Sequence, residues 1–241
     1  MITVKDLFKS YNGKKAVDQV SFSVNKGEIF GLLGPNGAGK TTVLRIMSTI
    51  LNPDKGQVVI GGFSAIKRPD MVRKIIGVCP QEIALYPDLT CRENMVYFGV
   101  IGGLSRKRAL ERSEVILRQV KLEDRSEEKV SSLSGGMKRL LNLAVSLLKE
   151  PRVLFMDEST VGVDPRSREA IFKLLHWFKE QEITVVYSTH YMEEAERMCD
   201  RVAIMSAGRI IALDSPFALK KKADPEGNIS LEKVFLKLTE E

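Results

Sequence analysis

Between a short apolar run and a helical pattern lie nine residues that leave the backbone few choices: Gly34-Pro35-Asn36-Gly37-Ala38-Gly39-Lys40-Thr41-Thr42. They fit G-x-x-x-x-G-K-[ST], a spacing with a physical reason behind each residue. Glycine permits positive φ and lets bare backbone come close to a ligand. Successive N–H groups then point into one concavity at a helix N-terminus, which favours an anion. Lys40 has the reach for β- and γ-phosphates, and the Thr41 hydroxyl suits a Mg²⁺ ion. The flanks agree with such a loop. Glu28-Ile29-Phe30-Gly31-Leu32-Leu33 reads as a buried strand, and Thr42 to Met47 as the helix that follows.

Composition narrows what else the chain can be. Its 241 residues are enough for one large α/β domain, with or without a sizeable subdomain. The longest apolar runs, such as Met95 to Leu104 and Leu140 to Leu148, fall short of the roughly 20 residues of a membrane helix. The start of the chain does not read as a signal peptide, so a membrane role has to come through a partner. A formal charge of +6 suits an anionic ligand, but no basic block with interleaved aromatics argues for direct nucleic-acid binding. The three cysteines form no C-x-x-C pair, which indicates neither a zinc site nor a disulfide framework and fits a reducing cytoplasm.

Taken in order, Ile2–Leu7 and Ala16–Val24 read as strands around an Asn12-Gly13 turn, an antiparallel opening section. Tyr11, just before that turn, is either a strand-edge aromatic or a stacking platform for a base. A further strand is expected over Gln57–Ile60, and another over Ile75–Cys79. Gln81 follows the second, where α/β sheets place ligands, although an isolated Gln is also an ordinary loop residue. From Tyr86 to Glu150 helical periodicity takes over, with Ala109, Val115, Ile116, Leu117 and Val120 on an amphipathic stretch. Ser134-Gly135-Gly136 opens a helix running from Met137 to Lys149, a second potential anion-binding end, though a weak signal alone.

Val153-Leu154-Phe155-Met156 then delivers two carboxylates, Asp157 and Glu158, to a strand end. Beside a phosphate loop the first is the expected Mg²⁺ partner and the second the group that activates water. The next strand, Ile183–Tyr187, leads into Ser188-Thr189-His190, where His190 can meet a γ-phosphate. His176, inside Leu174-Leu175-His176-Trp177-Phe178, reads as a packed structural residue. A hairpin around Ser206-Ala207-Gly208, a basic run at Lys220–Lys222 and a short docking helix over 230–238 close the chain.

This series of motifs resembles the ATP-binding subunits of ABC transporters over nearly the whole sequence. Gly34–Thr41 resembles Walker A, Val153–Asp157 resembles Walker B, and Leu133-Ser134-Gly135-Gly136-Met137 the LSGGQ signature. The resemblance implies Gln81 as the Q-loop glutamine, Glu158 as the catalytic glutamate, Asp164 as the D-loop aspartate, His190 as the switch histidine and Tyr11 as the base-stacking aromatic. It implies ATP and Mg²⁺ as cofactors, with Thr41, Gln81 and Asp157 around the metal. The implied fold is α/β: a P-loop NTPase core with a mostly parallel sheet, an N-terminal antiparallel β section and an inserted helical subdomain. A single domain over 1–241 is expected, its RecA-like core formed by 1–85 and 151–241 and its helical subdomain by 86–150.

The implied activity is ATP hydrolysis coupled to transport, with some preference for export, at the inner face of the cell membrane. Implied partners are a membrane-spanning subunit and a second copy of the chain, or a homologous ATPase, bound head to tail. The tail Ser230–Phe235 is similar to that of exporters handling drugs, polysaccharides and lipids. Two positions depart from the family pattern, Met137 for glutamine and Ser159 for proline, and imply altered rather than abolished turnover. A regulator or clamp outside transport is the alternative, although its usual second cassette or coiled-coil insert is not visible. A nucleotide-binding scaffold without hydrolysis is a third reading, motivated by Met137.

Overall fold

The computed structural model describes residues 1–224, 226 and 228–239. It opens with β1 (Ile2–Tyr11) and β2 (Lys14–Val24), both longer than the sequence pattern alone indicates. Next come β3 (Ile29–Leu33), α1 (Lys40–Met47), β4 (Lys55–Ile60), β5 (Phe63–Ser64), α2 (Pro69–Arg73) and β6 (Ile76–Cys79). The helical stretch holds α3 (Cys91–Ile101), α4 (Arg106–Gln119) and α5 (Gly135–Ser146), with two short 3₁₀ turns between the last two. The chain returns through β7 (Val153–Asp157), α6 (Pro165–Glu180), β8 (Thr184–Thr189), α7 (Met192–Met198), β9 (Arg201–Ser206) and β10 (Arg209–Asp214), and ends with α8 (Pro216–Ala223) and α9 (Leu231–Thr239).

Two sheets result. An antiparallel sheet has the order β2-β1-β4-β5, and a six-stranded sheet the order β10-β9-β3-β8-β7-β6. In the second, β9, β3, β8, β7 and β6 run parallel and only β10 is antiparallel, at the edge. This is the mostly parallel sheet with an antiparallel N-terminal section that the motifs imply.

The central strands are apolar on both faces, and the period of two along a strand sorts their side chains into two cores. Ile29, Leu33, Leu154, Met156, Val185 and Tyr187 join one buried cluster with α3, α4, α5 and α6. Phe30, Leu32, Val153, Phe155 and Val186 join the other, with α1 and the antiparallel sheet. The parallel sheet is therefore the wall between two cores, and its strand ends are fixed from both sides.

The helix period corrects two expectations. On α4, Ala109, Ser113, Ile116 and Leu117 are buried, whereas Val115 is exposed. A residue one position before Ile116 lies about 100° around the helix, outside the apolar stripe. On α6, Ile171, Phe172, Leu174, Leu175 and Phe178 face inward, which turns His176 out to solvent. The apolar neighbours of His176 in sequence are not its neighbours in space.

Cys79, Cys91 and Cys199 are buried and unpaired. Burial pushes all three thiols up, that of Cys91 to about 11. Since the thiolate is the nucleophile, a water-soluble thiol reagent at pH 8 should leave the native protein largely unlabelled and react with all three after unfolding. Prompt labelling of the native protein would contradict this packing.

Candidate active site

The phosphate-loop candidate runs from the end of β3 into α1. Two of its three glycines, Gly34 and Gly39, are held against backbone, while Gly37 faces open space. A Cβ on Gly34, at φ +146, would lie 2.2 Å from the Met205 carbonyl, and one on Gly39, at φ +102, would lie 2.3 Å from the Ala16 carbonyl. Gly39 is also the N-cap of α1 and supplies no side-chain acceptor. The N–H groups of the first turn are thus left to an outside anion, aided by the helix dipole. Hydrogen bonds brace the loop from behind: Gly208 N donates to Ala38 O at 3.2 Å, and Asp18 N to Gly208 O at 2.8 Å.

Lys40 is only 4% exposed, and its Nζ donates to the carbonyls of Gly34 at 2.8 Å and Pro35 at 3.1 Å. It also meets Glu158 Oε1 at 3.2 Å. Glu158 is 5% exposed and is shared by three sequence-predicted partners. Besides Lys40, Gln81 Nε2 donates to Oε2 at 3.2 Å and His190 Nδ1 lies 3.5 Å from Oε1. The ends of β6 and β8 and the start of α1 therefore deliver one group each to the carboxylate that follows β7. A buried carboxylate needs such partners to offset its desolvation.

Asp157 sits beside this group. Its Oδ1 accepts from Thr41 Oγ1 at 3.3 Å and from Ser188 Oγ at 2.5 Å, and its Oδ2 makes no hydrogen bond among the described residues. Two hard oxygens side by side, one of them a charged carboxylate, fit Mg²⁺ chemistry. Among the described residues no cluster of three His, Cys, Asp or Glu forms a metal cage. The donor set thus fits an ion that takes a few protein oxygens and fills its shell from phosphates and water.

The backbone here departs from ordinary strand geometry. Glu158 adopts φ +42, the left-handed region that non-glycine residues seldom visit. A proline at the next position would disfavour that local conformation, and Ser159 leaves it free. The Ser159 side chain is buried, with its hydroxyl 3.7 Å from Cys79 Sγ. Met137 donates its backbone N–H to Ser134 Oγ at 3.3 Å and packs its half-buried side chain against the main core.

The remaining predicted residues lie elsewhere. Ser134 caps α5, and a Cβ on Gly136 would fall 2.6 Å from Asp164 Oδ2, so the starts of α5 and α6 lie side by side. Asp164 caps α6 by accepting from Ser167 N at 3.0 Å. Those bonds to Ser167, side chain first and backbone second, hold its carboxyl below the usual aspartate value. Among the described residues no hydrogen bond or ion pair joins Ser134–Gly136 to residues 34–42. Tyr11 is 45% exposed at the end of the β1–β2 hairpin, with Lys9 Nζ 5.8 Å from its ring centroid. The same hairpin touches the loop through Ala16.

Three residues of the site lay outside the sequence reading. Ser188, opposite Asp157 in the β7–β8 register, donates to Asp157 and accepts from Glu158 N at 3.1 Å. Arg139 and Asn142 of α5 hold the loop on both sides of Gln81. Arg139 Nη1 donates to Pro80 O at 3.1 Å, and Asn142 Oδ1 accepts from Ala84 N at 3.1 Å. The signal for these two is a buried polar row, Arg139, Asn142 and Ser146, at helical spacing among apolar buried residues.

Comparison with known proteins agrees with this geometry. The ABC transporter family description matches residues 17–161. The linearmycin resistance ATP-binding protein LnrL of Bacillus subtilis is 43% identical over 88% of this chain and 68% of its own length. The Nod factor export ATP-binding protein I of Paraburkholderia xenovorans is 45% identical over 88% and 69%. Among solved structures, an ATP-binding subunit of an ABC transporter superposes with TM-score 0.87 at 29% identity over 99% of each chain. A dimeric ATP-binding cassette in a post-hydrolysis state, bound to ADP and Pi, gives 0.80 at 26% identity over 89% of this chain and 98% of its own.

Ser188→Ala removes the hydroxyl that joins both acids. It should lower stability by about 1–3 kcal/mol, the range for a lost buried partner, read as a shifted urea midpoint with unchanged slope. An unchanged midpoint would show that the Glu158 N–H to Ser188 O bond, at 3.1 Å, is sufficient there.

Proposed function

Because the chain belongs to the ABC transporter family, we propose that it is an ATP-hydrolysing subunit that pairs with a second copy of itself and powers a separate membrane-spanning partner. The observation that carries the reading is the convergence of Lys40, Gln81 and His190 on Glu158, with Asp157 and Thr41 alongside. ATP phosphates would lie on the loop Gly34–Thr42, where Gly34, Pro35, Asn36, Gly37, Ala38 and Gly39 offer backbone and Lys40, Thr41 and Thr42 offer side chains. Tyr11 would stack on the base.

Phosphoryl transfer asks the protein for positioning and charge stabilisation more than for covalent chemistry. The Lys40 ammonium is held by one carboxylate and two carbonyls. The more highly charged β- and γ-phosphates compete for it, and its transfer to them would free Glu158 to orient an attacking water and accept its proton. His190 would donate to the γ-phosphate, and Gln81 would bridge water and metal. Thr41, Asp157 and Gln81 would hold Mg²⁺, which when bound neutralises phosphate charge. Every side chain in this scheme belongs to this chain.

Ser134, Gly135, Gly136 and Asp164 form a second cluster, and the dimeric neighbour supports the reading in which this cluster faces the loop of the other copy. ATP would then bridge two chains, and its hydrolysis would remove the contacts that hold them. Among the described residues no helix is long and apolar enough to cross a membrane, so the coupling would run through a partner at the inner face of the membrane. The names of the relatives favour transport, and export in particular, over a clamp outside transport. A homologous ATPase in place of the second copy is compatible with the same site.

Phosphate release should require Mg²⁺ and fall by at least about a hundredfold in Lys40→Ala, measured below that variant's own thermal midpoint, which should also fall because buried Glu158 loses its cation. Retained hydrolysis in that variant would remove Lys40 from its role. A membrane-spanning protein should co-purify with the intact chain, whereas stable co-purification with ribosomes or DNA alone would contradict the transport reading.

A further inference from the structure

Behind His190 lies a polar cluster that plays no part in the site described above. Thr160, Tyr187 and Thr189 are fully buried, and Glu194 of α7 is 5% exposed. Glu194 Oε2 accepts from Tyr187 OH at 2.5 Å, from Thr160 Oγ1 at 2.7 Å and from Thr189 Oγ1 at 3.3 Å. Its Oε1 faces Arg168 Nε of α6 at 3.6 Å, and neither of those two atoms completes a hydrogen bond. Arg168 in turn donates through Nη2 to Val163 O at 3.4 Å, and its guanidinium lies 5.8 Å from the Tyr191 ring centroid. The Tyr191 ring sits 4.2 Å from that of His190, and Tyr191 N donates to Thr189 Oγ1 at 3.0 Å.

One carboxylate thus reaches residues on both sides of His190 and, directly or through Arg168, both ends of the 160–163 turn that leads to Asp164. Stability alone does not account for it. Buried ion pairs are often no better than well-packed apolar groups of the same volume. The cluster also keeps Tyr187 as a donor: burial first, and the Glu194 charge second, push its phenol well above the ordinary value. What such a cluster supplies, and an apolar one does not, is a fixed relative placement of the elements it joins.

We propose that Glu194 is a positioning residue for hydrolysis, holding the His190 turn and the segment leading to Asp164 in a single register. The proposal rests on the ATP-hydrolysis reading above. In a head-to-tail pair His190 would serve the chain's own nucleotide and Asp164 the interface with the other copy. Glu194 would then make the two contacts form together. Binding of ATP to the phosphate loop does not involve the cluster, which separates its effect from that of Lys40.

The test is steady-state hydrolysis by the whole chain with Glu194→Gln and Tyr187→Phe, together with Arg168→Ala and Arg168→Lys. Misplaced catalytic groups reduce turnover without weakening ground-state binding. Glu194→Gln should therefore lower kcat by about tenfold or more with the KM for ATP within about twofold of wild type. Tyr187→Phe should show a smaller loss in kcat of the same kind, and Arg168→Lys should recover part of what Arg168→Ala loses. A Glu194→Gln kcat equal to that of wild type would overturn the proposal. So would a loss that tracks a lowered thermal midpoint and disappears on cooling, because that pattern belongs to stability alone. A wild-type chain that releases no phosphate would overturn the parent reading instead.

Discussion

The buried carboxylate of Glu158 is the constraint around which the site is arranged. Removed from water, it requires cations and donors nearby, and it receives Lys40, Gln81 and His190 from three different segments. Those partners can meet only if the ends of β3, β6, β7 and β8 finish at one edge. A parallel sheet brings this about. The register Asp157↔Ser188 and Leu33↔Thr189 sets the strand ends level, and the two cores on either face of the sheet hold them there. The geometry at the edge is therefore a consequence of apolar packing well away from it.

Glu158 also links structure to chemistry through competition. Its contact with Lys40 is the same electrostatic attraction that a phosphate would exert on that ammonium, and a phosphate carries more charge. Binding of nucleotide and release of the base are on this account one exchange of partners. The left-handed backbone of Glu158, with serine rather than proline following it, is part of the same arrangement. Local strain of this kind is tolerated where surrounding hydrogen bonds fix it, here from Glu158 N to both oxygens of Ser188.

Much of this was legible in the sequence because the features are local. Gly34–Thr42 specifies its own turn, and Val153–Glu158 declares a buried strand with acids at its end. Ser188, Arg139, Asn142 and Glu194 were not legible in the same way. Each acts on a partner more than 25 residues away, or through a fold-dependent register; the polar row on α5 marks Arg139 and Asn142 as unusual but does not say what they hold. His176 misleads for a related reason: its apolar sequence neighbours face the core while the helix period turns it outward. The chain's second cluster, around Ser134–Gly136 and Asp164, was legible as a motif, but only the fold places its two parts side by side.

The central claim is that one chain carries two separated halves of a nucleotide site and that ATP joins two chains. The most direct measurement is the mass in solution of the Glu158→Gln variant, which keeps the phosphate loop but lacks the proposed base. With ATP the account predicts a species of twice the 27.0 kDa chain, returning to the single chain when ADP replaces ATP. Saturating ATP binding with the mass remaining at that of one chain would contradict it.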